Sequence, residues 1–232
     1  MNSMLNYLQD LFMNNGSMIF KGLYQTLYML FVSTFAAYII GLPMGILAEI
    51  TRPGGLKPIP VISKILSIII NLGRSIPFII LLVAVIPVTR AIAGTTIGEK
   101  ATTVPLIIAS IPFIARLVEN SLKEIDSGVI EAARAMGASI PQIIFKVLIP
   151  ESMPSLVLGA SLATITIIGY TAMAGAVGGG GLGDIAIRYG YHRRENDIMI
   201  VSIIFLVVIV QVIQSIGEKI SKLIDKRGKG DN

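Results

Sequence analysis

Glu131-Ala132-Ala133-Arg134-Ala135-Met136-Gly137, followed nine residues later by Val147-Leu148-Ile149-Pro150, lies between two strongly apolar runs. Asp126 or Ser127 is placed to cap a first short helix over Val129 to Met136, and Gly137 supplies the left-handed residue that ends it. Ser139, Ile140 and Pro141 open a second, because proline fits a first turn where its missing donor costs nothing. Pro150 is expected to stop that second helix. Glu131, Arg134 and Ala138 fall on one side of the unit, while Val129, Ile130, Ala133 and Met136 form an apolar flank. Such a helix-Gly-helix unit either covers the end of its own bundle or enters a groove on a soluble partner, with Glu131 at the charged rim. What lies on either side of it separates the two readings.

Hydrophobic residues make up 53% of the 232 and charged residues 14%, and the mean hydropathy is +0.78. A soluble domain carries about 25% charge, so this composition belongs to an all-α integral membrane protein. At about 20 apolar residues per crossing, the length admits five or six helices and no separate soluble domain. The spans read as about Gly22 to Ala48, Val61 to Val88, Thr102 to Val118, Met153 to Val177 and Ile198 to Ile216. In the third, Pro105 and Pro112 share a face and should bend it in one direction. The first nineteen residues lack a basic start and a small-residue cleavage site, so they do not read as a removable signal peptide. The chain therefore divides into an extracytoplasmic segment 1–21, a membrane domain 22–217 enclosing the loop 124–151, and a basic tail 218–232.

Lysine and arginine collect in short cytoplasmic loops. One set of loops holds Arg52, Lys57, Lys64, Arg116, Lys123, Arg134, Lys146 and five tail residues (Lys219, Lys222, Lys226, Arg227 and Lys229), which is twelve. The other holds Lys21, Arg90, Lys100, Arg188, Arg193 and Arg194, which is six. This ratio puts the N-terminus outside and both the loop and the C-terminus in the cytoplasm. The net charge of +5 then reflects insertion topology more than nucleic-acid binding.

Inside the second span, Lys64, Ser67, Asn71, Arg74 and Ser75 recur at helical spacing as a polar stripe. Arg74 lies about 15 Å along the helix from Lys64, near the bilayer midplane. An arginine there marks an interior surface or pathway, unless Pro77 breaks the helix and Arg74 satisfies the freed carbonyls. In the fourth span Ser155, Gly159 and Ala163 form a row of small residues that lets another helix approach closely. Thr164, Thr166, Tyr170 and Thr171 offer hydroxyls that line a route or bond back to their own helix. Met173, where the span gives way to glycine, suits either a gate that repacks or plain core filling. Asn71, Arg74, Thr164, Tyr170 and Met173 are thus the candidates for a translocation pathway.

Several chemistries are excluded. There is no cysteine, so no disulfide or thiolate metal site forms, and the single histidine, His192, cannot build a metal cluster within one chain. Gly178-Gly179-Gly180-Gly181-Leu182-Gly183 has the spacing of a dinucleotide fingerprint without its strand and amphipathic helix. It reads instead as a mobile outer turn. Arg188, Tyr189, Tyr191, His192, Arg193 and Arg194 beyond it form either a docking surface or a solvated loop. The stretch Gly94 to Thr102 is one residue short of a nucleotide loop and carries Ala101 where a hydroxyl is required. Energy must then come from another subunit.

The loop resembles the EAA loop by which permease subunits of ABC importers grip their ATPase, with Val147 and Ile149 as aliphatic stand-ins in its Ile-x-Leu-Pro ending. The run from Gly73 to Leu82, the run from Glu131 to Leu156, and the run from Gly169 to Gly178 together resemble the methionine importer permease family. The likeness extends from about Gly22 to Gly217. It implies a five-transmembrane-helix type I importer permease, multi-pass in the bacterial plasma (inner) membrane, that translocates methionine by alternating access. It also implies Glu131, Ala132, Ala133, Gly137, Val147, Ile149 and Pro150 as ATPase-coupling residues. The implied partners are a second copy of the chain, two cytoplasmic ATPases that hold the ATP and magnesium, and an extracytoplasmic substrate-binding lipoprotein. The chain itself would be no enzyme and hold no cofactor or metal. A single loop of this kind, no internal repeat and few helices give a separate reason to expect a twofold dimer. Two rivals remain open: an ABC permease for another amino acid or osmolyte, and a gradient-driven carrier, which Arg74, the kinked third span and the glycine turn also suit. An intramembrane enzyme would need paired carboxylates that the spans lack.

Overall fold

The computed structural model describes residues 2–225, with side chains from Asn15 onward. Every element among them is helical: α1 Asn2–Thr51, α2 Pro60–Ser75, α3 Phe78–Ala84, α4 Ile86–Ala93, α5 Glu99–Lys123, α6 Ser127–Ala135, α7 Ile140–Ile143, α8 Ile149–Gly175, α9 Gly181–Ile185 and α10 Asn196–Ile224. Wide π-helical turns cover Ile144–Leu148 and Ala186–Tyr191. Lys226, Arg227 and Lys229 of the expected basic tail lie outside the described residues.

Four helical stretches are long and apolar enough to cross a membrane: Asn15–Thr51, Glu99–Lys123, Ile140–Gly175 and Asn196–Ile224. The fifth expected span, Val61 to Val88, is not one straight helix. It breaks between α2 and α3, which meet at 102°. The cause is local: Pro77 disfavours helical backbone at the residue before it, and Ile76 is extended at φ −83 and ψ 122. Counted as one bent span, the pair brings the total to five. In contrast, Pro105 and Pro112 leave α5 unbroken. Its apolar window is 61% buried, against 28% or less for the other three.

Two compact units divide the chain. The first comprises residues 1–33, 78–106 and 166–211, and its core joins Ile19, Leu182 and Val201 with Leu23, Phe205, Leu206 and Ile209. The second comprises 34–77, 107–165 and 212–232. Its larger core gathers Ala37, Ile114, Val118, Leu122, Ile125, Ala133, Ile143, Leu148 and Ala163, drawn from α1, α5, the loop and α8. The row of small residues on α8 faces α5 here. Ser155 Oγ donates to Ser121 Oγ at 3.0 Å, and a Cβ on Gly159 would lie 3.6 Å from Leu117. Close approach at small residues is how helices associate where solvent gives no hydrophobic drive.

Candidate functional site

Asp126 caps α6, its Oδ1 accepting from the Gly128 N–H at 2.6 Å. Gly137, at φ +79, ends the helix with two backbone bonds: Gly137 N–H to the Arg134 carbonyl at 2.9 Å and Ala138 N–H to the Ala133 carbonyl at 3.1 Å. That left-handed conformation carries a penalty of roughly 1–2 kcal/mol for a residue with a Cβ. Ser139 then opens α7 through a reciprocal capping box with Gln142, whose Oε1 accepts from the Ser139 N–H at 2.8 Å.

Pro150 does not stop this second helix, contrary to the sequence expectation. Helix runs without interruption from Ile140 to Gly175, 36 residues. The π-helical turn explains the continuity. The Ile149 N–H bonds the Ile144 carbonyl, so the ladder has already shifted by one residue when the ring of Pro150 arrives, and the widened turn accommodates it. A second correction concerns the apolar flank. Ala133 is buried in the core and Ile130 packs against it, whereas Val129 and Met136 stay exposed, Met136 at 81%. Phe145 is also exposed, at 69%, a residue the spacing argument overlooks although an aromatic in so short a loop is itself a signal. Glu131 and Ala132 are exposed, Val147 and Ile149 half-buried.

The loop is braced from behind. Arg134 Nη2 donates to the Leu56 carbonyl at 2.9 Å, and a cleft of ≈ 130 Å³ beside it is lined by Glu49, Arg52, Glu131 and Arg134 among others. Arg52 Nε donates to Glu49 Oε2 at 2.6 Å. That hydrogen bond raises the guanidinium above its ordinary pKa, against an opposing desolvation effect.

Residues 37–229 match the family described as binding-protein-dependent transport system inner membrane component. The chain belongs to that family. It is 44% identical over 222 residues to the probable D-methionine transport system permease protein MetI of Vibrio cholerae, covering 96% of this chain and 99% of that protein. It is also 44% identical over 209 residues to the methionine import system permease protein MetP of Bacillus subtilis, covering 90% and 94%. Among solved structures it resembles a chain of the MetNI methionine ABC transporter in an inward-facing conformation, with a TM-score of 0.87, 48% identity and coverage of 90% and 96%.

For a transport permease the span-side candidates matter next. In the second unit, Arg116 Nη2 donates to Asn71 Oδ1 at 2.6 Å and Nη1 pairs with Glu119 at 2.9 Å. Asn71, Arg74 and the rest of the α2 stripe are exposed. Arg74 makes no hydrogen bond to carbonyls freed at the break among the described residues, so the carbonyl-satisfying reading lacks its contact. Thr164 Oγ1 bonds back to the Ala160 carbonyl at 2.7 Å, and Asn71, Arg74 and Thr164 make no hydrogen bond with one another. In the first unit Tyr170 stacks on Phe78 with centroids 4.5 Å apart and planes 8° apart, and Met173 is 51% exposed.

The glycine turn, expected to be mobile, is pinned instead. Gly98 N–H bonds the Gly178 carbonyl at 3.0 Å and Gly179 N–H the Ala174 carbonyl at 2.9 Å, and Gly181, Leu182 and Gly183 are buried. Its glycines permit close approach rather than looseness. Beyond it Arg188 is engaged by Asp184 at 2.6 Å and Arg193 lies over the Tyr189 ring at 4.5 Å. Tyr191, His192 and Arg194 remain exposed.

Proposed function

We propose that the chain is the membrane-spanning subunit of an ATP-driven importer for methionine, working as a homodimer with two ATPase subunits and an extracytoplasmic binding lipoprotein. The observation that carries the coupling role is the loop: Met136 and Phe145 stand out as bare apolar side chains on a capped, braced scaffold with Glu131 exposed nearby. Apolar anchors with a charged rim are what a groove on a soluble partner takes. Methionine itself rests on the relatives, which carry it in their names.

The two-to-one bias of basic residues supports a cytoplasmic loop and C-terminus and an outer N-terminus. On that orientation, closure of the ATPases on ATP pushes on the exposed Glu131, Ala132 and Gly137, and buried Ala133 passes the movement into the core beneath the loop. The movement enters α8 through Val147, Ile149 and Pro150, because helix is continuous from the loop into that element. Asn71, Arg74 and Thr164 of the second unit, and Tyr170 and Met173 of the first, are the residues proposed for the translocation pathway.

The test is uptake of radiolabelled methionine into proteoliposomes holding this chain, its copurified ATPase and the binding lipoprotein, with ATP on the ATPase side. ATP-dependent uptake competed by unlabelled methionine supports the proposal. Uptake that persists without the ATPase, or that other amino acids compete away equally well, overturns it.

A further inference from the structure

We infer that Gln25 is the positioning residue of a latch that holds the glycine turn closed at the outer end of the permease. The assignment rests on the transport reading above, and it stands on contacts within the first unit alone. Gln25, half-buried on α1, uses both ends of its amide. Oε1 accepts from the Gly181 N–H at 3.0 Å, and Nε2 donates to Glu99 Oε2 on α5 at 3.0 Å. Its neighbour Thr26 accepts from the Leu182 N–H at 2.9 Å through Oγ1.

The first amides of α9 are thus capped by side chains of α1. The residue that would ordinarily do so is Gly180, which has no side chain to offer. Space enforces the arrangement. Gly180 and Gly181 sit at φ +78 and φ +85, and a Cβ on them would come 3.1 Å from Gln25 Oε1 and 2.7 Å from Thr26 Oγ1. One amide therefore ties three elements together: α1, the start of α5 and the turn.

These are bonds that can open. Gln25, Gly178 and Gly180 line a cavity of ≈ 270 Å³ together with Lys21, Asp184 and Arg188, roomy and polar enough for water to take over each hydrogen bond as it breaks. An apolar weld in the same place would have no such exchange. Only an amide serves both contacts as they stand, since a carboxylate at position 25 would accept from Gly181 but face Glu99 with like charge.

That asymmetry supplies the experiment: ATP hydrolysed per methionine imported by the complete transporter with its binding protein in proteoliposomes. E99Q retains an acceptor for Gln25 Nε2 and should couple as wild type. Q25E should raise the ratio about fivefold, through hydrolysis that no longer waits for the binding protein. Q25E/E99Q restores the bond with donor and acceptor exchanged, and should return the ratio to within about twofold of wild type. If Q25E does not yield a complex, Q25A removes the bond without adding charge and should show the same rise. A contact that only stabilises the fold would lower yield and thermal midpoint and leave the ratio unchanged. A wild-type ratio in Q25E or Q25A, or a double variant as uncoupled as Q25E, overturns the latch. Absence of ATP-driven uptake in the wild-type complex would instead overturn the transport reading.

Discussion

Arg116 on α5 reaches across to Asn71 on α2 at 2.6 Å while holding Glu119 at 2.9 Å on its own helix. Its Nε is buried and without a partner. The guanidinium thus depends on Asn71 for one of its hydrogen bonds. Asn71→Leu should destabilise the complex by about 1–2 kcal/mol, since the lost bond involves a charged donor. Asn71→Asp, which offers a charged acceptor, should not. Thermal unfolding of the detergent-solubilised protein measures both, and equal midpoints for Leu and Asp variants would show that the contact contributes nothing.

Residue spacing alone points to the helical class, a cap at Asp126 or Ser127, an opening at Ser139 and the stop at Gly137, because each is a local rule acting within a few residues; of the first two the structure uses Asp126. Contacts between distant segments were out of its reach. Asn71 and Arg116 are 45 positions apart, and Gln25 and Gly181 are 156 apart; no periodicity joins them. Two errors have one root. Pro150 and the run of glycines were read by their usual effects, breaking helices and loosening loops. A π-helical turn absorbs the first, and tight packing turns the second into close contact. The bend at Pro77 follows from the local restriction on Ile76, but no residue spacing encodes its size.

Exposure of Met136 and Phe145 leads to a separation of folding from assembly. Met136→Asp and Phe145→Asp alter side chains that touch little of their own chain, so membrane yield and melting should match wild type. Copurification of the ATPase should fall by about thirtyfold or more if these are the apolar anchors, the loss expected of a central interface residue. Retention of the ATPase at wild-type stoichiometry in both variants would remove the loop from the interface.

Gly137→Val probes the scaffold rather than the surface. At φ +79 a β-branched residue is strained, yet open space surrounds the position, so the cost is conformational, about 1–2 kcal/mol. The end of α6 should reorganise while the spans insert normally. ATP hydrolysis should then proceed with methionine uptake reduced, which a paired hydrolysis and uptake assay detects.

The stacked pair Phe78 and Tyr170 makes the tyrosine ring a stronger requirement than its hydroxyl. Tyr170→Phe should keep the stack and near-normal uptake, whereas Tyr170→Ala and Phe78→Ala each forfeit about 0.5–1.5 kcal/mol of ring contact beyond burial. If Tyr170→Phe is as impaired as Tyr170→Ala, the hydroxyl itself takes part in the route.

Arg74 gives the sharpest division between structural and transport roles. It lies in the last turn of α2, exposed, just before the 102° break, and no contact among the described residues uses its charge. A residue with no internal partner should be replaceable without loss of fold, so Arg74→Leu should insert, assemble and melt like wild type. On the pathway reading, a cationic group in an apolar span is kept because it meets the substrate's carboxylate. Uptake by Arg74→Leu should accordingly fall at least about tenfold, with Arg74→Lys recovering part of it because the point charge survives and the bidentate geometry does not. Full transport by the leucine variant would take Arg74 off the pathway and leave the α2 stripe as an exposed face with no part in translocation.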